Sequence, residues 1–304
     1  MGTSWSVQCP DIPALDLRDL HGVVEDALDR VIAQMSTWEP NSEIARFNRA
    51  SAGSWSAVSL EFMTVLECAQ QIAVATDGAF DPTVGTLVGL WGFGANASAA
   101  PPTAEQLDEA RRMSGFAKLR LDPASLSVYQ PGGMQLDLSA IAKGFSADLV
   151  AMRLAEKGID AALVEVGGEL FAHGHSPRGG GWNVLVETGA DEDELLEPRV
   201  VALCGRAIAT SGDRWFHYEH NDSRISHSID PRTGTPIRDD LASVTVIADS
   251  AMQADAWATA LSVMGVDDGL EFAQTHALAA RFVARDGSNA REYLSAEFTR
   301  YLVT

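Results

Sequence analysis

From Ala162 to Leu302 the apolar residues fall mostly into short, strand-like runs. These run from Ala162 to Leu170, Trp182 to Glu187, through Val201 and Ile225, then Ser243 to Ala248, Leu278 to Ala284 and Tyr293 to Leu302. The long helical stretch in this half is Ser250 to Met264, entered directly from the strand at Ser243. Strands that follow one another without a returning helix pair antiparallel, and Asp286-Gly287 reads as a hairpin turn between the last two. The first half contributes a short strand, Thr3 to Cys9, and then helices. Leu17, Leu20, Val23, Val24, Leu28, Val31, Ile32 and Met35 recur at three- and four-residue steps, with Asp16 as N-cap and a polar turn at Pro40. Further helices are predicted from about Ser59 to Thr76, from the Thr103/Gln106 capping box to near Gly115, and from about Ala140 to Lys157 with Ser139 as N-cap. Strand runs beside a few long helices predict an α+β fold of mostly antiparallel sheets with packed helices, not a doubly wound parallel sheet. No linker composition divides the chain, so residues 1–304 read as one domain made of two intimately joined halves.

Composition narrows the ligands. Acidic residues outnumber basic ones 42 to 22, a formal net charge of −20. That surface repels a phosphate backbone, which excludes nucleic acid as a partner. Any phosphate-bearing ligand then needs a local cation or a bound metal. Cys9, Cys68 and Cys204 are scattered and read as small core residues without a disulfide framework. No apolar stretch reaches the roughly 20 residues of a membrane span. The opening MGTSWSVQCP has neither a charged leader nor an apolar core, so the expectation is a cytoplasmic protein, or an exported lipoprotein if an upstream leader is missing.

Four segments carry chemistry. In SVTVIADSAMQADAWATAL, Asp255 and Thr259 are four apart on a largely apolar helix, where a carboxylate and a hydroxyl share a face and can reach one hard cation. In QLDLSAIAKGFSADLV, a helix start beside Lys143 offers backbone amides and a positive charge to an anion. In RISHSIDPRTGTPI, His227 stands beside Ser226 and Ser228 and three residues before Asp230, and an imidazole with an ordinary pKa of roughly 6.5 can accept a proton near neutrality. Gly167-Gly168-Glu169 follows a strand and lets a ligand approach the backbone closely. Residues 78 to 102 read as a Gly- and Pro-rich loop, packed down because it carries Phe80, Leu87, Leu90, Trp91 and Phe93. No dinucleotide fingerprint, phosphate loop, HExxH or GxSxG is present.

Five segments in order, from residue 1 to about 265, together resemble the FAD:protein FMN transferase family, also called the ApbE family. They are MGTSWSV, MSTWEPNSEIARFN, GAFDPTVGTLVGLWGFG, LDLSAIAKGFSADLV, and ATSGDRWFHYEHNDSRISHSIDPRTGTPI with DSAMQADAWATAL. The resemblance implies tandem T-fold-like halves that bind FAD between them with Mg2+ at the diphosphate. It implies transfer of FMN to a Thr or Ser hydroxyl of an acceptor flavoprotein subunit, with release of AMP. Asp255 and Thr259 match the metal-ligand helix, with the Ala140 carbonyl as a further ligand. Lys143 falls on the phosphate side, and His227 matches the base that deprotonates the acceptor hydroxyl. Met1 and Trp38 match positions flanking the flavin, where members often carry Tyr in place of Trp38. Asp81 and Glu169 match the nucleotide pocket, and Asp230 is grouped with these cofactor-side residues. After Ser211-Gly212-Asp213 this chain reads Arg214-Trp215 where many members have Tyr-Arg or Tyr-Glu. An FAD diphosphatase on the same machinery, or an FAD-binding protein without chemistry, are the alternatives.

Overall fold

A computed structural model describes residues 2–11, 16–95, 101–186, 195–212, 217–220, 223–287 and 289–303. Met1, the Arg214-Trp215 departure and residues 191–194, part of the stretch Asp191 to Glu197 whose acidic composition reads as a solvated loop, lie outside the described residues. The chain forms two compact units, one of Met1–Arg30, Ile141–Trp215 and Asp240–Thr304, the other of Val31–Ala140 and Phe216–Asp239.

The first unit is built on a seven-stranded sheet in the order Trp5–Gln8, Ala162–Val166, Glu169–His173, Arg206–Gly212, Leu241–Ala248, Ala279–Asp286, Asn289–Leu294. Every neighbouring pair is antiparallel. Both faces of the interior strand Leu241–Ala248 are covered, so its residues are buried without alternation up to Ile247. The alternation survives in which side each residue packs on. Val244 and Val246 meet Ala258, Leu261, Ala273 and Phe282 under the helices Ala251–Met264 and Val266–Thr275. Ile247 turns the other way, to Ile208, Val184, Val201 and Phe298 beneath the hairpin Trp182–Val186/Arg199–Leu203. Phe171 pairs with Ala207 and Leu170 with Ile208, and Leu170 packs on the hairpin side. Glu169 therefore points to the helix-covered side, and its neighbours in space come from helices.

The second unit carries the helices Leu60–Ala75, Glu43–Asn48, Gly85–Leu90 and Ala104–Met113 with a three-stranded antiparallel sheet of Ser54–Ala57, Ser127–Gln130 and Arg120–Asp122. The expected capping box is present in both directions at Thr103 and Gln106.

Several expectations need correction. Residues 162–170 are two strands, because Gly167 and Gly168 both take positive φ (64° and 96°) and turn the chain into a hairpin. The segment predicted as loop contains the helix Gly85–Leu90; its Leu87 and the preceding Phe80 are buried, as expected for a packed-down segment. Ser139 does not cap the next helix, which starts at Ala142 after Ile141 and has no side-chain cap; the Ser139 amide instead donates to Asp137. Tyr293 to Leu302 is strand only to Leu294 and then bends into the short helix Ala296–Thr299. Cys68 is buried, but Cys204 is exposed and is no core residue. Among the described residues no helix is long and apolar enough to cross a membrane.

Candidate active site

The first unit gathers three of the expected residues into one charged cluster. The helices Ala142–Glu156 and Ala251–Met264 pack together, with Gly144 of one against the Ala251 carbonyl of the other. That approach places the Asp255 carboxylate beside the start of the first helix. Lys143 Nζ lies 3.1 Å from Asp255 Oδ1 and 3.2 Å from Oδ2, and the Gly144 amide donates to Oδ2 at 3.1 Å. The same Nζ is 3.1 Å from Glu169 Oε1. Asp255 and Glu169 are 4% and 3% exposed, so these charges are shielded from water and strongly coupled. Burial opposes the charge on Lys143, but Asp255 and then Glu169 outweigh it and hold the ammonium above its ordinary value. Burial pushes the Glu169 carboxyl up; Lys143 pulls it back and Asp255 adds to the rise. Glu169 Oε2 is buried and makes no hydrogen bond of ordinary geometry. Thr259, half-buried, stands one turn after Asp255 on the same helix face. One amide of this helix start, Gly144 N, is thus already answered by a carboxylate.

Asp148 was not singled out from the sequence. It lies five residues after Lys143 and accepts hydrogen bonds from Ala251 N at 2.8 Å and Met252 N at 2.9 Å. Ser250 Oγ accepts from Gln253 N at 3.2 Å, so two different side chains satisfy the first amides of the Asp255 helix. An acid within the apolar run AKGFSADLVAM was the available signal, since a carboxylate there requires a partner. Its carboxyl is pushed up to about 7, by burial first and by Asp255, against the two amides. The folded protein binds this proton more tightly than the unfolded chain, whose Asp titrates near 3.9. The group therefore supports the fold at low pH, and that support is lost as the pH rises through about 7. The melting temperature should fall between pH 4 and 7 more steeply in the parent than in Asp148→Asn. The difference is about 1–3 kcal/mol, on a scale of about 1.4 kcal/mol per pKa unit reduced by residual solvent access. Parallel curves would refute the assignment.

The second unit holds the remaining candidates. Asp81 is buried and fully engaged: Oδ1 accepts from Thr83 N at 2.8 Å and Thr83 Oγ1 at 2.7 Å, and Oδ2 from Phe116 N at 2.8 Å. Burial raises its carboxyl above the ordinary range despite those bonds. Asp230 takes a fork from Arg232, Nε at 2.9 Å and Nη2 at 3.0 Å. Gly78 backs onto Phe116 and Arg232, bringing the Asp81 loop beside the Asp230 turn. Trp91 Nε1 donates to Gly234 O at 2.8 Å and pins that turn. His227 sits just past the strand Ser223–Ser226, its ring 6.3 Å from Phe93 in an edge contact. Trp38 is 71% exposed, a flat apolar surface held open to solvent. Ala140 closes the Val31–Ala140 segment of this unit.

The model of the ApbE family matches residues 1–282. The chain belongs to the ApbE family. Among its relatives, the FAD:protein FMN transferase of Vibrio cholerae serotype O1 is 36% identical over 304 residues, covering 99% of this chain and 90% of that protein. The FAD:protein FMN transferase of Escherichia coli strain K12 is 34% identical over 308 residues, covering 100% and 88%. Among solved structures, the flavin transferase ApbE from Vibrio cholerae superposes with a TM-score of 0.89 at 35% identity, over 99% of this chain and 96% of that one. The Pseudomonas stutzeri flavinyl transferase ApbE, in its apo form, gives 0.87 at 33%, over 98% and 96%. The α+β class expected from the strand pattern is the class of these ApbE structures.

The donor chemistry of this ApbE chain fits a hard divalent cation. Among the described residues no three His, Cys, Asp or Glu side chains converge on one point. A cage is not required, because Mg2+ is held by one or two carboxylates together with substrate phosphates and water. Asp255 supplies a buried carboxylate and Thr259 a hydroxyl one turn away on the same helix face.

Proposed function

We propose that this protein is an FAD:protein FMN transferase, moving FMN from FAD to a Thr or Ser hydroxyl of an acceptor flavoprotein subunit and releasing AMP. The observation that carries the reading is the pairing of half-buried Lys143 with the buried Asp255 and Glu169 carboxylates in a chain that matches the ApbE family over residues 1–282. Asp255 and Thr259, with the Ala140 carbonyl, would hold Mg2+, and Lys143 would face the diphosphate. Bound Mg2+ supplies positive charge to phosphate oxygens and to the departing AMP.

The rest of the chemistry belongs to side chains. A diphosphate is anionic and a neutral hydroxyl is a weak nucleophile near pH 7, so the site must offset charge and remove a proton. Lys143, held cationic by its two carboxylates, is the fixed positive charge in a chain of net charge −20. His227 accepts the proton from the acceptor hydroxyl as that oxygen attacks the FMN-side phosphorus, and the AMP phosphate takes the bonding pair. Trp38 offers its exposed indole to one face of the isoalloxazine, and Met1 the other flank. Asp81 and Asp230 act by shaping the loops of the nucleotide pocket, since their oxygens are already spent on Thr83, Phe116 and Arg232.

The test is intact-mass spectrometry of a flavin-acceptor domain incubated with this protein, FAD and Mg2+, with an EDTA control. The expected result is a gain of one FMN on the acceptor that EDTA abolishes. Unmodified acceptor with FMN and AMP in solution would instead make the protein an FAD diphosphatase, and intact FAD would leave a binding protein. In the same assay His227→Ala should keep FAD affinity and lose about 10²–10⁴-fold in transfer rate, the range of a general base. Transfer at the parental rate would remove His227 from that role.

A further inference from the structure

Lys143 occupies the oxygens that a metal would need. Its Nζ lies within 3.2 Å of both Asp255 carboxylate oxygens, and those oxygens are the principal donors offered to a divalent cation. An ammonium and a dication cannot share one buried carboxylate without mutual repulsion, so one displaces the other. The ammonium has a second partner at equal distance, Glu169 Oε1 at 3.1 Å. The other oxygen of that carboxylate, Oε2, is buried and makes no hydrogen bond of ordinary geometry, the Thr210 backbone adding only the weakest pull on the carboxyl; acceptor capacity is left unused there.

We propose that Lys143 is a resident counter-ion that competes with the metal for Asp255, and that Glu169 is the positioning residue that keeps Lys143 when Asp255 is given up. Oε2 is the spare acceptor for that second state. On loading, the ammonium passes from bridging two carboxylates to pairing with one, stays charged, and remains in the site to meet phosphate. The buried acid cluster is thereby never without a cation, whether metal is present or absent. Glu169 then acts on the metal through Lys143 and need not touch either metal or substrate. This inference rests on Asp255 being a metal ligand, as proposed above.

The competition gives the two neighbours of Asp255 opposite signs. The measurement is Mn2+ binding to the full chain without FAD at pH 8, read from the electron paramagnetic resonance signal of free Mn2+; this ion shares the oxygen preference of Mg2+. Lys143→Met should bind Mn2+ about tenfold more tightly than the parent, although it removes a residue of the site. Glu169→Gln should bind it about tenfold more weakly, because the ammonium loses one of its two carboxylates and leans harder on Asp255; Glu169→Asp should recover part of the loss. Changes of this size are usual for groups one shell away from a metal. If Lys143→Met fails to fold, Lys143→Gln keeps a polar side chain without the charge and should tighten binding in the same direction. A merely structural role would weaken binding in the lysine and glutamate variants alike. Asp255→Asn separates the two layers. If it abolishes parental Mn2+ binding while the lysine variants bind no tighter than the parent, the competition is overturned and the metal site stands. If it leaves Mn2+ binding unchanged, the metal assignment fails and this inference with it.

Discussion

Asp255→Asn should lower FMN transfer by about 10²–10³-fold, the usual cost of removing one group aimed at developing charge in a shielded site. What activity remains should no longer respond to Mg2+. The substitution keeps the shape and leaves one oxygen to accept from the Gly144 amide, now 3.1 Å from Oδ2. It removes the charge that a hard cation requires and halves the counter-charge around Lys143. Stripping a buried ion of its only partner costs about 3–5 kcal/mol, but Lys143 keeps Glu169, so the loss of stability should fall below that range. The check is transfer rate against Mg2+ concentration beside a thermal melt. A variant that is folded, within about fivefold of the parent and still stimulated by Mg2+ would place the metal elsewhere.

What the sequence made legible was what is local. The helix Leu17–Met35 follows from three- and four-residue apolar steps, the capping box at Thr103 from two side chains three residues apart, and the last hairpin from Asp286-Gly287. The Asp255/Thr259 pair was visible for the same reason, because helical geometry alone puts the two on one face. The pairing of Lys143 with Asp255 was not visible, since it joins residues 112 positions apart. It is fixed by the crossing of two helices, and periodicity within either says nothing of where they cross. The two segments therefore read as separate functions, an anion-binding helix start and a metal helix, where the fold makes one ion cluster of them.

The errors have a similar origin. Ser139 has the composition of a cap, but the chain does not become helical until Ala142, and Asp137 takes its amide first. In the sequence Gly167 and Gly168 read as a place for ligand approach after a strand. Their positive φ values make them a hairpin, which is what carries Glu169 to the sheet position facing the helices. The helix Gly85–Leu90 hides in glycine-rich composition because it is under two turns long and packed by Leu87 against Ala110 and Ile229, not a product of propensity.

Gly144→Ala is the substitution expected to damage the fold most for the fewest atoms. A Cβ on Gly144 would stand 2.1 Å from the Ala251 carbonyl oxygen, 2.4 Å from its carbon and 2.7 Å from Met252 N. All three are backbone atoms, so no rotamer change can relieve the overlap and the two helices must separate. Overpacking of a core by single methyl groups costs about 1–3 kcal/mol, and a backbone obstacle belongs at or above the upper end. About 3 kcal/mol corresponds to a drop in melting temperature of roughly 5 °C for a chain of 304 residues, at about 2.1 cal/mol/K of unfolding entropy per residue. The same separation lengthens the bond from Gly144 N to Asp255 and those from Ala251 N and Met252 N to Asp148. Transfer should therefore fall further than the loss of folded protein accounts for. Gly22→Ala is the counterpart. Gly22 lies inside the helix Leu17–Met35 with nothing within 4 Å of a Cβ, so a methyl group there should stabilise by about 0.5–1 kcal/mol through helix propensity. A Gly144→Ala protein melting within about 2 °C of the parent would mean that the helices are not held at this crossing, and that Lys143 and Asp255 meet for some other reason.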